Sequence, residues 1–331
     1  MSQIIVNNLS KTYRVPERQS GLLASFRSLG KRTHRDVNAV QEIDFTIERG
    51  EVVGFIGPNG AGKTTTLKML SGLLRPTSGN VQVIGFSPWQ RKHDFLRSIS
   101  MIMGNKQQII WDVPPLDTFN VLSEIYRIPK AEYRRNLDEL VDLLEMGPLL
   151  KKPVRNMSLG ERMKCELVGS LLHRPKVLFL DEPTLGLDVS MQRRLRTFIK
   201  AYNQRHDATI MLTSHYMADV VELCSRVILI HHGKLIYDGN LERLVEQLAP
   251  FKLIHITMSD YRFDNGFDAE GLPQNVDVVE SNNGHVTLRV GRGDAPSITS
   301  HLLNTLSIAD LRVENPPIDA VIDQIYQEER A

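Results

Sequence analysis

The sequence is poor in the features that mark the specialised protein classes. It has only two cysteines, Cys165 and Cys224, and neither stands at the spacing of a disulfide framework or a metal site. Aromatic residues are 6% of the chain and the formal net charge is +1, so bulk electrostatics argue for no nucleic-acid partner. Long apolar runs are missing as well. KVLFL and RVILI are strand-length, well short of the ~20 residues that a bilayer-spanning helix needs. The opening MSQIIVNNLSK lacks the basic-then-apolar order of a signal peptide, which places the expected site of action in the cytoplasm, with any work at a membrane done from its surface.

What is present is an ordinary globular composition, 41% hydrophobic and 24% charged over 331 residues, enough for one large domain and a smaller one. Short β-rich runs (IIVNNL, FTIE, EVVGFIG, NVQVIG, ISMIM, KVLFLD, ATIMLT, RVILI) alternate with amphipathic helix-length segments up to about residue 248. That rhythm predicts an α/β fold with a mostly parallel sheet. Over about 105–160 the strands stop and two or three helices form a helical insert. From 249 to 331 the pattern predicts a small α+β domain suited to dimerisation or regulation. In it VDVV and HVTLRV flank Asn283-Gly284, a tight-turn dipeptide, and IDAVIDQIY places Ile318, Val321, Ile322 and Ile325 on one helical face behind Pro317.

GPNGAGKT follows the apolar strand EVVGFI and opens TTTLKMLSGLL, the strand, glycine-rich loop and helix order of a phosphate-binding P-loop. Gly57, Pro58, Asn59, Gly60, Ala61, Gly62, Lys63, Thr64 and Thr65 are therefore nucleotide-binding candidates. The glycines let backbone N–H groups converge on phosphate oxygens, Lys63 adds a charge near the terminal phosphates, and the Thr64 hydroxyl suits magnesium. Asp181 ends the strand VLFL at the carboxyl edge of the sheet, where a magnesium ligand belongs, and Glu182 beside it is a candidate general base for an attacking water. Ser158 and Glu161 in MSLGE form the serine-x-x-glutamate pattern of a capped helix start.

Read in order, GPNGAGKT, MSLGE, VLFLDEPT, LGLD and TSH resemble the nucleotide-binding subunit of an ATP-binding cassette (ABC) transporter over roughly residues 3–245. The resemblance implies the ABC form of the P-loop NTPase fold, with an antiparallel β portion beside the parallel sheet. It implies ATP and Mg²⁺, a head-to-tail homodimer, and a separate transmembrane permease docked on the helical insert. Transport, with export favoured, would run from the cytoplasmic face of the inner membrane, where the subunit sits as a peripheral protein without a nucleic-acid partner. In this family the capped helix start closes over ATP held by the other subunit, which assigns Ser158 and Gly160 to the γ-phosphate. Leu159 and Glu161 depart from the usual LSGGQ, and Glu161 is expected to turn back to its own helix start. Tyr13 corresponds to the aromatic residue that stacks on adenine, His215 to the switch histidine on the γ-phosphate, and Asp188 to the loop that communicates across the dimer. Gln108 corresponds to the glutamine that links magnesium to the helical insert, with Gln107 as its competitor.

Two segments stand outside the family pattern. About 14–36 form a basic insert in which Leu22, Phe26 and Leu29 share a helical face beside Arg27, Lys31, Arg32 and Arg35. Residues 21–32 are candidates for contact with the membrane surface or the permease; a solvated surface hairpin is the alternative. The C-terminal segment is similar in its fold rhythm to the short C-terminal domains of drug- and polysaccharide-export ATPases. Two other classes compete with a transporter. One is a soluble cassette ATPase acting on nucleic acid or ribosomes, which usually carries two cassettes or a long coiled coil. The other is a regulatory module with a decayed site, against which the presence of Lys63, Asp181, Glu182 and His215 argues.

Overall fold

The computed structural model describes residues 2–16, 34–104, 108–259, 276–282 and 284–328. It divides into two compact units, Met1–Asn240 and Leu241–Ala331.

The core of the first unit is a six-stranded sheet in the order β5-β6-β7-β3-β8-β9. Five strands are parallel: β3 (Val52–Ile56), β5 (Ile99–Met103), β6 (Val177–Asp181), β7 (Thr209–Thr213) and β8 (Arg226–His231); β9 (Lys234–Asn240) runs antiparallel at the edge. β6 and β7 are buried along their whole length, which explains why VLFL and TIML read as unbroken apolar runs rather than alternating ones. The antiparallel portion has the order β2-β1-β4, from β1 (Ser2–Pro16), β2 (His34–Glu48) and β4 (Ser78–Val83). One core joins both sheets, with Ile4, Leu9, Ile43 and Ile47 from the antiparallel layer packing in the same cluster as Val53, Phe55 and Phe179.

The β1–β2 ribbon continues outward to the pair Pro16↔His34. Residues 14–16 and 34–36, expected within the basic insert, are thus strand, and the insert proper with its Leu22, Phe26 and Leu29 lies outside the described residues. Helices α1 (Lys63–Leu70) and α2 (His93–Leu96) precede β5; after it α3 (Pro115–Ile125), α4 (Lys130–Leu143) and α5 (Leu159–Leu171) build the insert, followed by α6 (Val189–His206) and α7 (Met217–Leu223).

In the second unit the sheet order is β11-β12-β10-β13, from β10 (Phe251–Met258), β11 (Val276–Asn282), β12 (His285–Gly291) and β13 (Ile308–Glu314). Asn282 pairs with His285, which leaves two residues for the turn, and Gly284 takes the left-handed conformation (φ 77°) that such a turn demands. One face of the sheet buries Ile254, Ile256, Val286, Leu288 and Val290 against Ile298 and Leu302 of α9 (Ala295–Thr305). The division falls at 240/241 rather than at the expected 248/249, because α8 (Leu241–Leu248) packs against α10 (Ile318–Glu328), whose Val321 and Ile322 are buried. Among the described residues no helix is long and apolar enough to cross a membrane.

Candidate functional site

The phosphate loop runs from the end of β3 into α1. Two of its glycines, Gly57 and Gly62, are required by space. A side chain on Gly57 would strike the Ile230 carbonyl, and Gly62, at φ 111°, lies against the Ala39 carbonyl in a conformation L residues rarely adopt. Gly62 also caps α1 without any side-chain hydrogen bond, so the first N–H groups of the helix remain available to a ligand. Lys63 is buried and donates its ammonium hydrogens to the Gly57 and Pro58 carbonyls. Burial lowers its pKa, while Glu182 and Asp181 pull it the other way. A phosphate would add favourable charge where the lysine now has mostly carbonyl dipoles.

The end of β6 supplies both acids, and the neighbouring parallel strand β7 holds them. Asp181, the last residue of β6, accepts from the Thr64 hydroxyl at 2.8 Å and from the Thr213 hydroxyl at 2.7 Å. This is a cluster of hard oxygen donors, the set that suits magnesium rather than a softer metal, so Thr64 and Asp181 fit that ion. Glu182 follows with φ 55°, a left-handed conformation that is uncommon for a residue with a side chain and typical of positions held by their surroundings. Here the holder is Thr213, whose carbonyl and hydroxyl both accept from the Glu182 N–H, at 3.0 and 3.1 Å. The Glu182 carboxylate lies 2.9 Å from His215 Nε2, and both side chains remain partly open to solvent. Lys63, Thr64, Asp181, Glu182 and His215 are thus brought to one end of the parallel strands, where an α/β sheet binds its ligands.

At the start of α5, Ser158 makes the expected capping box. Its Oγ accepts from the Glu161 N–H at 3.2 Å, and Glu161 accepts the Ser158 N–H at 2.8 Å. Lys152 also donates to Glu161 at 2.9 Å and, with the Ser158 amide, lowers the Glu161 pKa. Glu161 does turn back to its own helix start, leaving Ser158 and Leu159 exposed at the tip. Gly160 lies against Met191 of α6, and Asp188 caps that helix through the Met191 N–H at 2.9 Å.

Tyr13 is 37% exposed, paired across the ribbon with Val37, and the Lys11 ammonium stands 5.3 Å from its ring centre. An open aromatic face is what base stacking requires. Gln108 is placed differently from the expectation. Its side-chain amide donates to the Met101 carbonyl at 2.7 Å, two residues short of the β5 terminus, and the structure does not bring it to Asp181. Its backbone N–H and that of Ile109 both end on the buried Glu166 carboxylate, at 2.8 and 3.1 Å. Gln107 lies outside the described residues. Sequence reasoning missed Thr213, Lys152 and Glu166. Of these only Thr213 carried a signal, as the residue at the end of the strand beside Asp181.

Residues 40–185 match the family described as ABC transporter, and residues 250–314 match the EvrA-like ABC transporter C-terminal domain. The chain is 34% identical to the ABC transporter ATP-binding protein NatA of Bacillus subtilis (strain 168) over 223 residues, 67% of this chain and 90% of the relative. It is 32% identical to the bacitracin transport ATP-binding protein BcrA of Bacillus licheniformis over 222 residues, 67% of this chain and 71% of the relative. Among solved structures it resembles an ATP-binding subunit of an ABC transporter, with a TM-score of 0.62 and 25% identity over 74% of this chain and 92% of that one. A P-loop after β3 and an acid pair at the end of β6, on the same edge of one parallel sheet with β7 between them, in a chain so similar to these relatives, lead to one conclusion: this protein is an ATP-binding subunit of the ABC transporter family and an ATPase.

Proposed function

We propose that the protein energises export through a separate membrane permease, working as a head-to-tail homodimer at the cytoplasmic face of the plasma membrane. The observation that carries the reading is the convergence of Lys63, Thr64, Asp181, Glu182 and His215 at one end of the parallel sheet. In this proposal Gly57 to Thr65 cradle the phosphates and Tyr13 stacks on adenine. Thr64 and Asp181 hold Mg²⁺, which neutralises phosphate charge when bound. Glu182 accepts the proton of the attacking water, and His215 exchanges its partner Glu182 for the γ-phosphate.

The second copy supplies Ser158 and Gly160. Ser158 Oγ accepts from Glu161, so its own hydroxyl hydrogen is left to donate to a phosphate oxygen. With the Glu161 charge drawn off by Lys152 and the helix start, the cap presents N–H groups and a hydroxyl to the anion despite the departure from LSGGQ. Asp188 caps α6 through Met191, which packs beside Gly160, and so ties the interface loop to the start of α5. A magnesium contact from Gln108 would require its amide to leave the Met101 carbonyl. Closing then follows from affinity, because only the closed dimer adds Ser158 and Gly160 to the phosphate contacts.

Permease docking on the helical insert is supported by its exposed apolar residues. Val121 and Ile125, one turn apart on α3, are 49% and 64% exposed, and Trp111 is open beside Arg162. Transport is supported by the likeness to a bacitracin transport subunit. The test is Glu182→Gln: nucleotide titration should show ATP binding retained, and hydrolysis should slow by at least ~10²-fold. Hydrolysis at the full rate would remove Glu182 from the role.

A further inference from the structure

Behind the site lies a buried polar cluster that none of the roles above uses. Asp219 of α7 is fully buried, and its Oδ2 accepts two short hydrogen bonds, from the Thr184 hydroxyl at 2.5 Å and the Ser214 hydroxyl at 2.6 Å. Its other oxygen accepts from Arg196 Nη1 of α6 at 3.0 Å, and Arg196 Nε also donates to Glu222 at 2.7 Å. Thr184, Ser214 and Arg196 are each more than nine-tenths buried.

What these partners have in common is the side chains beside them. Thr184 stands two residues after Glu182, within consecutive turns closed by Leu185 N–H to the Glu182 carbonyl and Leu187 N–H to the Thr184 carbonyl. Ser214 directly precedes His215, and its Oγ in turn accepts the Tyr216 N–H at 3.0 Å. Arg196 belongs to the helix that Asp188 caps. A single carboxylate oxygen therefore joins the turn that carries Glu182 to the turn that carries His215, while the other oxygen ties both to the helix that begins at the interface loop.

A buried carboxylate and guanidinium are a poor means of adding stability, since desolvation offsets most of their attraction. They are an effective means of fixing geometry. We propose that Asp219 is a positioning residue, which holds Glu182 and His215 in register for hydrolysis through the Thr184 and Ser214 hydroxyls. The inference rests on the catalytic reading of Glu182 given above. Catalytic groups tolerate little displacement, and a misplacement of about 1 Å costs on the order of 10²-fold in rate.

The test uses Thr184 because its two close analogues separate hydrogen bonding from packing. Thr184→Val keeps the shape and loses the hydroxyl; Thr184→Ser keeps the hydroxyl and loses a methyl group. Steady-state hydrolysis by the full chain should show Thr184→Val lowering kcat by about tenfold or more, with KM for ATP within about twofold, and Thr184→Ser close to the wild-type kcat. Ser214→Ala, at an independent position, should reproduce the kcat loss, so that a folding defect in one variant does not decide the matter. In single-turnover experiments Thr184→Val should add little to Glu182→Gln, because the group it positions is already gone. The proposal is overturned if Thr184→Val turns over at the wild-type rate, if Thr184→Ser falls as far as Thr184→Val, or if the valine change exerts its full factor on top of Glu182→Gln. A full-rate Glu182→Gln enzyme is a different result, and refutes the underlying role of Glu182 itself.

Discussion

Glu166 offers a quantitative test of how the helical insert is fastened to the sheet. It is 5% exposed and one of its oxygens accepts both the Gln108 and the Ile109 N–H, so the chain that follows β5 is pinned to α5 by one atom. Glu166→Ala removes that acceptor and leaves two amides without it. At about 1–3 kcal/mol for each buried donor, offset by relief of the buried carboxylate, the net loss should be about 3 kcal/mol. For a unit of this size that corresponds to a fall in Tm of roughly 6–12 °C. Glu166→Gln retains a carbonyl oxygen in the same place and should keep both bonds. Burial raises the Glu166 pKa, the amides opposing it, so the native state binds the proton more tightly than the unfolded chain. Its contribution is therefore most favourable below the ordinary carboxylate range and declines as pH rises through the raised value. Glutamine cannot ionise, so Glu166→Gln should match or exceed wild type at pH 8 and lose that advantage toward pH 4. Calorimetry of the three proteins at both pH values decides the matter. Glu166→Gln falling as far as Glu166→Ala would refute the acceptor role, and an unchanged Glu166→Ala would refute the pinning.

Three further outcomes are expected. Ser158→Ala should cost about 1 kcal/mol through loss of its cap, read as a fall in Tm of roughly 2–4 °C, and an unchanged Tm would deny the cap any weight. His173, stacked on Tyr126 with ring centres 3.9 Å apart, has its pKa lowered by burial to about 4. Stability that its neutral form contributes above pH 6.5 should therefore be lost as pH falls toward 4, by roughly 3 kcal/mol at most, and His173→Phe should flatten that part of the stability profile; an unaltered slope would contradict it. Cys165 and Cys224 are buried, with thiol pKa values pushed up to about 12 chiefly by that burial. A thiol reagent at pH 8 should leave the folded protein unlabelled over minutes and modify both cysteines in guanidinium, whereas rapid labelling of the folded chain would refute the burial.

The parts of the fold that depend on local chemistry were legible in the sequence. GPNGAGKT between an apolar strand and a helix, the Ser158–Glu161 box, the left-handed Gly284 and the acids ending VLFL all carry their signal within a few residues. What could not be read depends on partners distant in the chain. The boundary moves from 248 to 240 because Leu241 and Leu244 belong to a helix whose packing partner begins at Ile318. Gln108 departs from its expected place because its neighbourhood is organised by Glu166, 58 residues on. Asp219 reads as an ordinary helical acid until Thr184, Ser214 and Arg196 are brought around it. The short edge strand β9 escaped because KLIYDGN is only half-buried and lacks a clean apolar alternation.

The central claim is that the capped start of α5 in one copy completes the ATP site of another, and the most direct measurement is the mass of the Glu182→Gln protein in solution by light scattering. With saturating Mg-ATP the mass should double, return to that of the monomer when nucleotide is removed, and fail to double when Gly160→Asp is added. A Glu182→Gln protein that binds ATP yet stays monomeric, or a dimer indifferent both to ATP and to Gly160→Asp, would contradict it.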